Sequence, residues 1–175
     1  DNYASVDGGG LCIVYGGHPF IINSTIVNNS ASGMGGSMFL FAWSNADLVN
    51  SIFWRTDWGW PAEITFYDDQ DMGSETTVSF RYSDTNDSSE GPPWVYFSVT
   101  YDENTIRTDP MFVDPEIGDY RLQVGSPSIN TGTAEIEESW WDLNNFYGNW
   151  GSEYETLDLI DIDFYDTAPD MGAFE

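Results

Sequence analysis

The chain has 175 residues, of which 41% are apolar and 17% aromatic, and this composition suffices for one folded domain with a buried core. Its 30 Asp and Glu residues stand against 4 Arg and no Lys, so the formal net charge is −26 at pH 7. A surface of this charge repels phosphate groups, which excludes nucleic acid as a partner. No stretch approaches the roughly 18 apolar residues of a membrane-spanning helix, so membrane insertion is not expected.

The first part of the chain repeats itself with a shift of 27 residues. This shift aligns Ile22-Asn23-Ser24 with Val49-Asn50-Ser51 and Asn2-Tyr3-Ala4-Ser5 with Asn29-Ser30-Ala31-Ser32. Each period contains a Gly-rich turn, a short apolar strand, a polar corner and a second strand that ends in Asn-Ser. A period of 20–50 residues that carries strands and no helical pattern is typical of a solenoid.

A second alignment concerns the Gly-rich turns. At a shift of 26, Gly9-Gly10-Leu11-Cys12-Ile13-Val14 falls on Gly35-Gly36-Ser37-Met38-Phe39-Leu40. One turn of about 26 residues fits a parallel β-helix, whose coils stack about 4.8 Å apart. In such a stack Asn23 lies above Asn50, and we expect their side chains to form a hydrogen-bonded ladder along the axis.

The later segments continue the predicted stack less regularly. A third, looser coil runs from Gly59 through Ile64–Tyr67 to residues 78–83, and residues 84–108 are rich in turns. The predicted fold is therefore an all-β parallel β-helix of about three to four coils over residues 1–108. Residues 109–175 are predicted to form an irregular C-terminal cap packed on the coils, because a bare last coil exposes its apolar interior and strand edges.

Several stretches resemble a known family. The sequences DPMFVDPEIGDYRLQVGSPSINTG at 109–132 and APDMGAFE at 168–175 resemble the C-terminal region of secreted bacterial proteins of the pectin-lyase-like superfamily. The sequences GGGLCIV, INSTIVNNSA and FRYSD resemble the coils of these proteins and the strand before their cap. The resemblance implies a right-handed coil, export from the cell and, often, attachment to the cell surface. It does not imply one activity, because this scaffold carries lyases, hydrolases and adhesins.

The first predicted coil is incomplete, which bears on function. Because residues 2–5 form the tail of a repeat, the stack is expected to expose strand edges and apolar interior at a face that includes Asn2, Tyr3, Leu11 and Ile13. Either the sequence is a fragment of a longer β-helix, or another chain covers this face. An uncovered parallel edge is a template for strand addition, and a head-to-tail contact that does not close gives a filament. The sequence thus favours a non-catalytic, extracellular structural or adhesive subunit that self-associates through this face.

A carbohydrate-active β-helix is the alternative function, as a polysaccharide lyase or glycoside hydrolase that lacks its N-terminal coils. Its catalytic candidates are the carboxylates Asp68, Asp69 and Asp71, with Arg55 as an arginine that the sequence leaves without a partner. Convergence of these side chains on one groove would separate the two functions. Sugar rings could stack on Trp54, Trp58, Trp60, Trp140 and Trp141, although sealing of the coils and cap explains such rings at least as well.

Two acidic clusters are candidates for binding Ca²⁺, the one cofactor that the sequence suggests. Oxygen ligands are dense at Asp158, Asp161, Asp163, Asp166 and Asp170, and again at Asp68, Asp69, Asp71 and Glu75. The alternation of acidic and apolar residues at 161–164 fits equally well with a strand that has one solvated face.

Three further residues carry expectations about their environment. The single cysteine, Cys12, excludes an intrachain disulfide, and its apolar neighbours predict a buried, inert thiol. The single histidine, His18, precedes a proline at a predicted turn. Arg121 is predicted to pair with a carboxylate.

Overall fold

The structure of the protein is a computed structural model that describes residues 1–56, 61–68, 75–93, 95–136 and 168–172. Apart from one 3₁₀ turn at Pro115–Ile117, the regular structure of these residues consists of short β-strands. The strands are β1 (Tyr3–Ala4), β2 (Leu11–Val14), β3 (Phe20–Ile22), β4 (Thr25–Val27), β5 (Ser30–Ala31), β6 (Met38–Phe41), β7 (Ala46–Val49), β8 (Ile52–Trp54), β9 (Ile64–Tyr67), β10 (Thr76–Arg81), β11 (Asp84–Thr85), β12 (Ser89–Glu90), β13 (Phe97–Tyr101), β14 (Phe112–Asp114) and β15 (Asp119–Leu122).

Three parallel sheets contain most of these strands. Their strand orders are β12-β9-β6-β2, β13-β10-β7-β3 and β11-β8-β4. Neighbouring strands of a sheet therefore come from successive passes of the chain, of which β2–β4 form the first, β6–β8 the second and β9–β11 the third. We refer to these sheets as the first, second and third sheet. Strands β1 and β5 also pair in parallel, whereas β14 and β15 form an antiparallel hairpin. The predicted all-β class with parallel sheets is confirmed.

The first pass of the chain is repeated with a constant shift of 27 residues. The pairs Leu11–Met38, Phe20–Asp47 and Thr25–Ile52 all have this separation, as do the hydrogen-bonded residues Ser24 and Ser51. The shift of 26 predicted for the Gly-rich turn is therefore wrong by one residue.

The glycine that governs this turn is Gly8, which the register makes equivalent to Gly35. Both residues have a φ of 67°, a left-handed conformation that favours glycine. A Cβ on Gly35 would lie 2.3 Å from the carbonyl oxygen of Met38, so a side chain would also collide there. Because residues 8–10 are all glycine, the sequence could be aligned in more than one way.

The third pass, β9–β11, carries an insertion relative to the second, β6–β8. Met38 pairs with Ile64, which is 26 residues later, whereas Ala46 pairs with Val78, which is 32 residues later. The difference places six additional residues between β9 and β10. The segment 84–108, in which the sequence predicted turns, also contains strands β11, β12 and β13. Together with a bridge between Asp84 and Ile106, these strands extend all three sheets.

One cluster of buried apolar side chains receives residues from all three sheets. Its members are Ile13, Met38, Leu40, Ile64 and Phe66 from the first sheet, Ala46, Leu48, Val78 and Phe80 from the second, and Phe53 from the third. The rings of Phe53, Phe66 and Phe80 are fully buried, and burial of one such side chain stabilises the fold by about 2–3 kcal/mol. The three sheets therefore depend on one another for their apolar faces.

The predicted ladder of Asn23 and Asn50 is not formed by their side chains. The two residues do occupy equivalent positions, because the N–H of Asn23 donates to the carbonyl of Val49. However, Asn50 Nδ2 donates to the carbonyl of Thr133 at 2.7 Å, and its Oδ1 accepts from the Thr133 N–H at 2.8 Å. Within the described residues Asn23 Oδ1 is buried without a hydrogen-bond partner. The asparagines thus contribute their left-handed backbone conformation, with φ of 48° and 50°.

Serine, the residue after each of these asparagines, forms the ladder instead. Ser51 Oγ accepts from the N–H of Ser24 at 3.2 Å and donates to the carbonyl of Val49 at 2.9 Å. Ser83 Oγ accepts from the N–H of Ser51 at 3.1 Å and donates to the carbonyl of Arg81 at 2.8 Å. Each hydroxyl therefore satisfies one N–H and one carbonyl at a corner where the strands are interrupted.

Residues 109–136, here called the flanking segment, lie along one side of the sheets. Phe112 packs with Val27 and Ile52, on the face of β4 and β8 that points away from the main core, and Met171 joins this contact. The described part of the predicted C-terminal cap therefore covers the outer face of the third sheet.

We expect Ser51→Ala to lower the free energy of unfolding by about 1–3 kcal/mol, because it leaves the N–H of Ser24 without its acceptor. Ser24→Ala is the matched control. Ser24 Oγ donates to the carbonyl of Ile22, but no N–H of the described residues donates to it, so a smaller loss is expected. Urea denaturation measures both; equal losses would contradict the ladder.

Candidate functional site

Arg55, which the sequence left without a partner, lies in a buried ion pair. Its Nη1 donates to Glu63 Oε1 at 2.8 Å and to the carbonyl of Pro61 at 3.0 Å. The side chains of Arg55 and Glu63 are only 11% and 3% exposed. A Cβ on Gly36 would lie 3.3 Å from Arg55 Nη1, so this glycine makes room for the pair. The interpretation of Arg55 as a free cation is corrected.

The acidic candidates are only partly covered by the structure. Asp68 follows β9, the exposed Glu75 precedes β10, and Asp170 accepts a hydrogen bond from the N–H of Asn130 at 2.7 Å. Outside the described residues lie Asp69, Asp71, Asp158, Asp161, Asp163 and Asp166. Among the residues that are described, no three His, Cys, Asp or Glu side chains are grouped so that they could hold a metal ion.

The predicted assembly face divides into exposed and buried residues. Tyr3 is 67% exposed, whereas Ile13 is 7% exposed and belongs to the core. Leu11 is half-buried at the edge of the core, and Asn2 donates to Asn29 Oδ1.

Cys12 is exposed on β2, which corrects the expectation of a buried thiol. The strand alternates, so its neighbours Leu11 and Ile13 point inward and Cys12 points outward. Partial burial, together with the charge of Asp7, still raises the pKa of the Cys12 thiol.

A groove runs between the hairpin β14–β15 and the chain that follows β8. It consists of two cavities of about 710 and 610 Å³, which share Arg55, Thr56 and Pro115. The larger cavity is also lined by Trp54, Arg107 and Asp109. Of the tryptophans predicted to stack on sugars, Trp54 is thus placed at a groove, whereas Trp58, Trp60, Trp140 and Trp141 lie outside the described residues.

Arg107 is held at this groove by Asp87 and Tyr101. Its Nη2 donates to the backbone carbonyl of Asp87 at 3.2 Å, and its guanidinium lies 5.2 Å from the ring centre of Tyr101. The Tyr101 hydroxyl donates to the Asp87 carboxylate at 3.0 Å. Burial raises the pKa of Asp87, and burial together with the charge of Asp87 raises the pKa of Tyr101 to about 12. Arg107 itself remains 52% exposed, so it can bind a ligand in the groove.

A cluster of His18, Asp47 and Arg81 was missed by the sequence analysis. His18 Nε2 and Arg81 Nη1 each lie 2.5 Å from a different oxygen of Asp47. Burial would raise the pKa of Asp47, but the hydrogen bonds and charges of His18 and Arg81 outweigh it and lower this pKa. The 27-residue shift pairs Phe20 with Asp47, and His18 lies two residues before Phe20. This shift was therefore a signal in the sequence that His18 and Asp47 lie close together. The cluster ties β7 to β10 and to the turn before β3.

Asp84 is a fully buried carboxylate where the flanking segment meets β11. Its Oδ2 accepts from Ser128 Oγ at 2.7 Å, and its Oδ1 accepts from the N–H of Thr108 at 3.2 Å. Burial raises the pKa of Asp84 to about 6, because these neutral donors only partly compensate for lost hydration and the charge of Asp109 adds to the rise. The sequence offered no signal for this contact.

Comparisons of the chain with family models, with curated proteins and with solved structures gave no match. None of the described residues forms a helix long and apolar enough to cross a membrane.

We expect Asp84→Asn to be more stable than the wild-type protein at pH 7.5, with an advantage that shrinks as the pH falls to 4. The pKa of Asp84 is about 6 in the folded protein, against an ordinary value of 3.8. The stability that it contributes is therefore fully present below pH 3.8 and lost as the pH rises through 6, a loss of about 3 kcal/mol. Asparagine does not ionise and avoids this loss.

Urea denaturation between pH 4 and 8 measures the effect, with Glu116→Gln as the control. Glu116 is an exposed carboxylate of the flanking segment, so its removal should give a small difference. A stability difference between Asp84→Asn and the wild type that stays constant with pH would contradict the assignment.

Proposed function

We propose that this protein is a non-catalytic, extracellular structural or adhesive subunit that associates through the edge strands of its parallel sheets. The observation that carries this proposal is that β2, β3 and β4, all from the first pass of the chain, each end a different sheet. Within the described residues, each of these strands has a strand neighbour on one side only. A parallel edge that no further strand covers is a template for strand addition.

The proposed architecture is a right-handed parallel β-helix in which each pass of the chain is one coil. Two observations support this architecture. Successive passes add strands to the three sheets in the same order, and the three sheets share one core. In a solenoid each coil contacts only its neighbours, so a terminal coil has a face that another surface can cover. The resemblance to secreted pectin-lyase-like proteins supports the extracellular location.

The hydrogen bonds of β2 indicate which backbone groups are available for association. Leu11 and Tyr15 donate their N–H groups to carbonyls of the β6 side, at 2.8 and 3.1 Å. Because consecutive residues of a strand direct their backbone groups to opposite sides, Cys12 and Val14 direct theirs away from β6. Both side chains are exposed. A further strand could add here without displacing an existing bond.

The net charge of −26 opposes contact between copies. Salt reduces this repulsion, because the Debye length falls from about 10 Å at 0.1 M to about 3 Å at 1 M. Calcium ions bound by the carboxylates would have a similar effect. We therefore propose that association strengthens in saline or calcium-containing surroundings.

Val14→Pro is expected to weaken self-association about tenfold or more, because proline removes an N–H that points away from β6 and adds bulk at the edge. The ladder to β6 remains intact, so the variant should fold. Val14→Thr keeps the N–H and the β-branched shape and serves as the matched control.

Light scattering and electron microscopy, at low and high salt and with or without calcium, measure the assemblies. Fibres or stacks of the wild type that persist in Val14→Thr and disappear in Val14→Pro would support the proposal. A wild-type protein that stays monomeric under all these conditions would refute it.

Binding of a polysaccharide in the groove is a second candidate function. Arg55 and Trp54, both selected from the sequence, line the same cavity as Arg107. A Trp ring offers a stacking surface and a guanidinium offers paired donors for hydroxyl or carboxylate groups. Asp68 is not among the described residues that line the groove, and Asp69 and Asp71 lie outside the described residues. Arg107 and Trp54 support binding of a sugar chain.

Arg107→Gln is expected to lower the affinity for a bound polysaccharide about tenfold. Arg121→Gln makes the same change of charge outside the groove, in an exposed pair with Asp119, and should leave the affinity unchanged. Affinity electrophoresis against a panel of neutral and acidic polysaccharides provides the measurement. Failure of the wild-type protein to bind any of them would remove this candidate.

A further inference from the structure

We propose that the hairpin β14–β15 is a movable flap fastened by Asp84, closed over the outer face of the third sheet at acidic pH and opening more often as the pH rises. This movement goes beyond the proposed function, because it takes place within one copy of the chain and needs no partner.

Asp84 holds both ends of the flap. Its Oδ1 accepts a hydrogen bond from the N–H of Thr108 at 3.2 Å, and its Oδ2 accepts from Ser128 Oγ at 2.7 Å. The chain between these two residues, 109–127, contains the hairpin and is here called the flap. One carboxylate therefore closes the whole loop, and we refer to Asp84, Thr108 and Ser128 as the clasp.

The chain on either side of the flap is fastened independently of the clasp hydrogen bonds. The N–H of Ile106 donates to the carbonyl of Ser83 at 2.8 Å, next to its bridge with Asp84. On the other side, Asn50 makes two hydrogen bonds with the backbone of Thr133. The clasp thus lies at the boundary between the flap and chain that is bound to the sheets.

Hydrogen bonds inside the flap allow it to move as one unit. Ser126 Oγ donates to the carbonyl of Pro110 at 2.7 Å. The N–H of Gln123 donates to the carbonyl of Met111 at 2.9 Å, and its Nε2 donates to the carbonyl of Phe112 at 2.8 Å. Because both partners of each bond belong to the flap, these bonds remain when the flap leaves the third sheet.

Apolar contacts keep the flap closed. Phe112 is 6% exposed and packs with Val27 and Ile52 on the outer face of the third sheet. The ring of Tyr120, also on the flap, lies edge-on to Phe112 with 5.3 Å between the ring centres. Opening exposes these side chains to water, so it is unfavourable as long as Asp84 is neutral.

The surroundings of Asp84 oppose its ionisation. The side chain is fully buried, and its neighbours along the third sheet are the apolar residues Ile52 and Ile106. Burial raises the pKa of Asp84 to about 6, and the charge of Asp109 contributes to the rise. An open flap gives the carboxylate access to water, so ionisation of Asp84 favours the open state.

The other charged groups around the clasp have partners of their own. Arg107 lies 3.6 Å from a carboxylate oxygen of Asp87. Asp170 accepts a hydrogen bond from the N–H of Asn130. The neighbouring strand β8 carries no charged side chain. Within the part of the chain that the structure describes, Asp109 is therefore the charge that adds to the effect of burial.

Opening of the flap also changes the groove. The flap contributes Met111, Phe112, Pro115 and Gln123 to the lining of the larger cavity, whereas Trp54 lies on the third sheet. A ligand can contact both walls only when the flap is closed, so a bound polysaccharide would be held most tightly at acidic pH. This consequence rests on the second candidate function, whereas the movement of the flap does not.

The accessibility of a thiol beneath the flap tests the movement. Val27→Cys in a Cys12→Ser chain places a single thiol under Phe112, where Val27 is 3% exposed. Its rate of reaction with a disulfide reagent, divided by the rate for free cysteine at the same pH, reports how often the flap opens. This corrected rate should rise about tenfold between pH 5 and pH 8, because opening returns the pKa of Asp84 from about 6 to its ordinary 3.8.

Two substitutions in this chain identify the group responsible. Asp84→Asn should abolish the rise, because the amide can accept from Thr108 and donate to Ser128 Oγ at every pH. Glu116→Gln removes an exposed carboxylate of the flap and should retain the rise. A rise that persists in Asp84→Asn, or a corrected rate that does not increase with pH when Asp84 is present, would overturn the proposal.

A thiol in the main core separates opening of the flap from unfolding of the whole protein. Val78→Cys, also in a Cys12→Ser chain, replaces a fully buried residue of this core. Its thiol should react more slowly than that of Val27→Cys at each pH, since local opening is easier than global unfolding. Equal rates in two variants that thermal melting shows to be folded would contradict a flap that opens on its own.

Hydrogen exchange of the Thr108 N–H provides a measurement without any substitution. NMR spectroscopy follows this amide in the wild-type protein, and each rate is corrected for the intrinsic pH dependence of exchange. Its protection should fall about tenfold between pH 5 and pH 8, because its acceptor is Asp84. Constant protection would also overturn the proposal. Neither measurement requires association of copies, so failure of the flap leaves the proposed function standing.

Discussion

The parallel backbone ladder between equivalent residues is the constraint on which the rest of this structure depends. Since each pass of the chain bonds to the same positions in the passes beside it, a conformation adopted at one corner is repeated at the next. Asn23, Asn50 and Tyr82 have φ of 48°, 50° and 46°. The left-handed corner is thus kept even at a tyrosine, where it costs about 1–3 kcal/mol. The serine hydroxyls that follow satisfy the backbone groups that this corner interrupts.

The few positive charges of the side chains are all paired with carboxylates. All four arginines lie in described residues and pair with carboxylates, as Arg55–Glu63, Arg81–Asp47, Arg107–Asp87 and Arg121–Asp119. The surface therefore keeps a large excess of carboxylates, and an approaching copy meets negative charge on most sides. Exposed apolar side chains lie both at the sheet edges, as at Val14 and Tyr101, and in the flanking segment, as at Ile117 and Val124.

The sequence predicted the all-β class and the parallel pairing from short apolar runs that end in Asn-Ser. Of its two shifts, 26 and 27 residues, the structure supports 27 between the first two passes. The sequence could not decide which glycine of residues 8–10 is left-handed, since any glycine can be. The sequence predicted a ladder of asparagines instead of serines, because the two residues repeat together. Only the directions of their side chains show that serine forms the ladder. The contact of Arg81 with Asp47 was out of reach, because the insertion between β9 and β10 changes the separation from 26 to 32 residues.

The arrangement of three edges at one end of the sheets also favours one polarity of association. A two-fold axis relates a surface to itself, so it would bring β2 of one copy against β2 of the other in the antiparallel sense. Such an axis can pass through only one of the three edges. If it passes through β2, β3 of one copy faces β4 of the other, and these two strands have no common register. In the association that we propose, a displaced copy would instead keep the strand direction that holds inside the protein. Such a contact would not close, so its product would be a filament of copies.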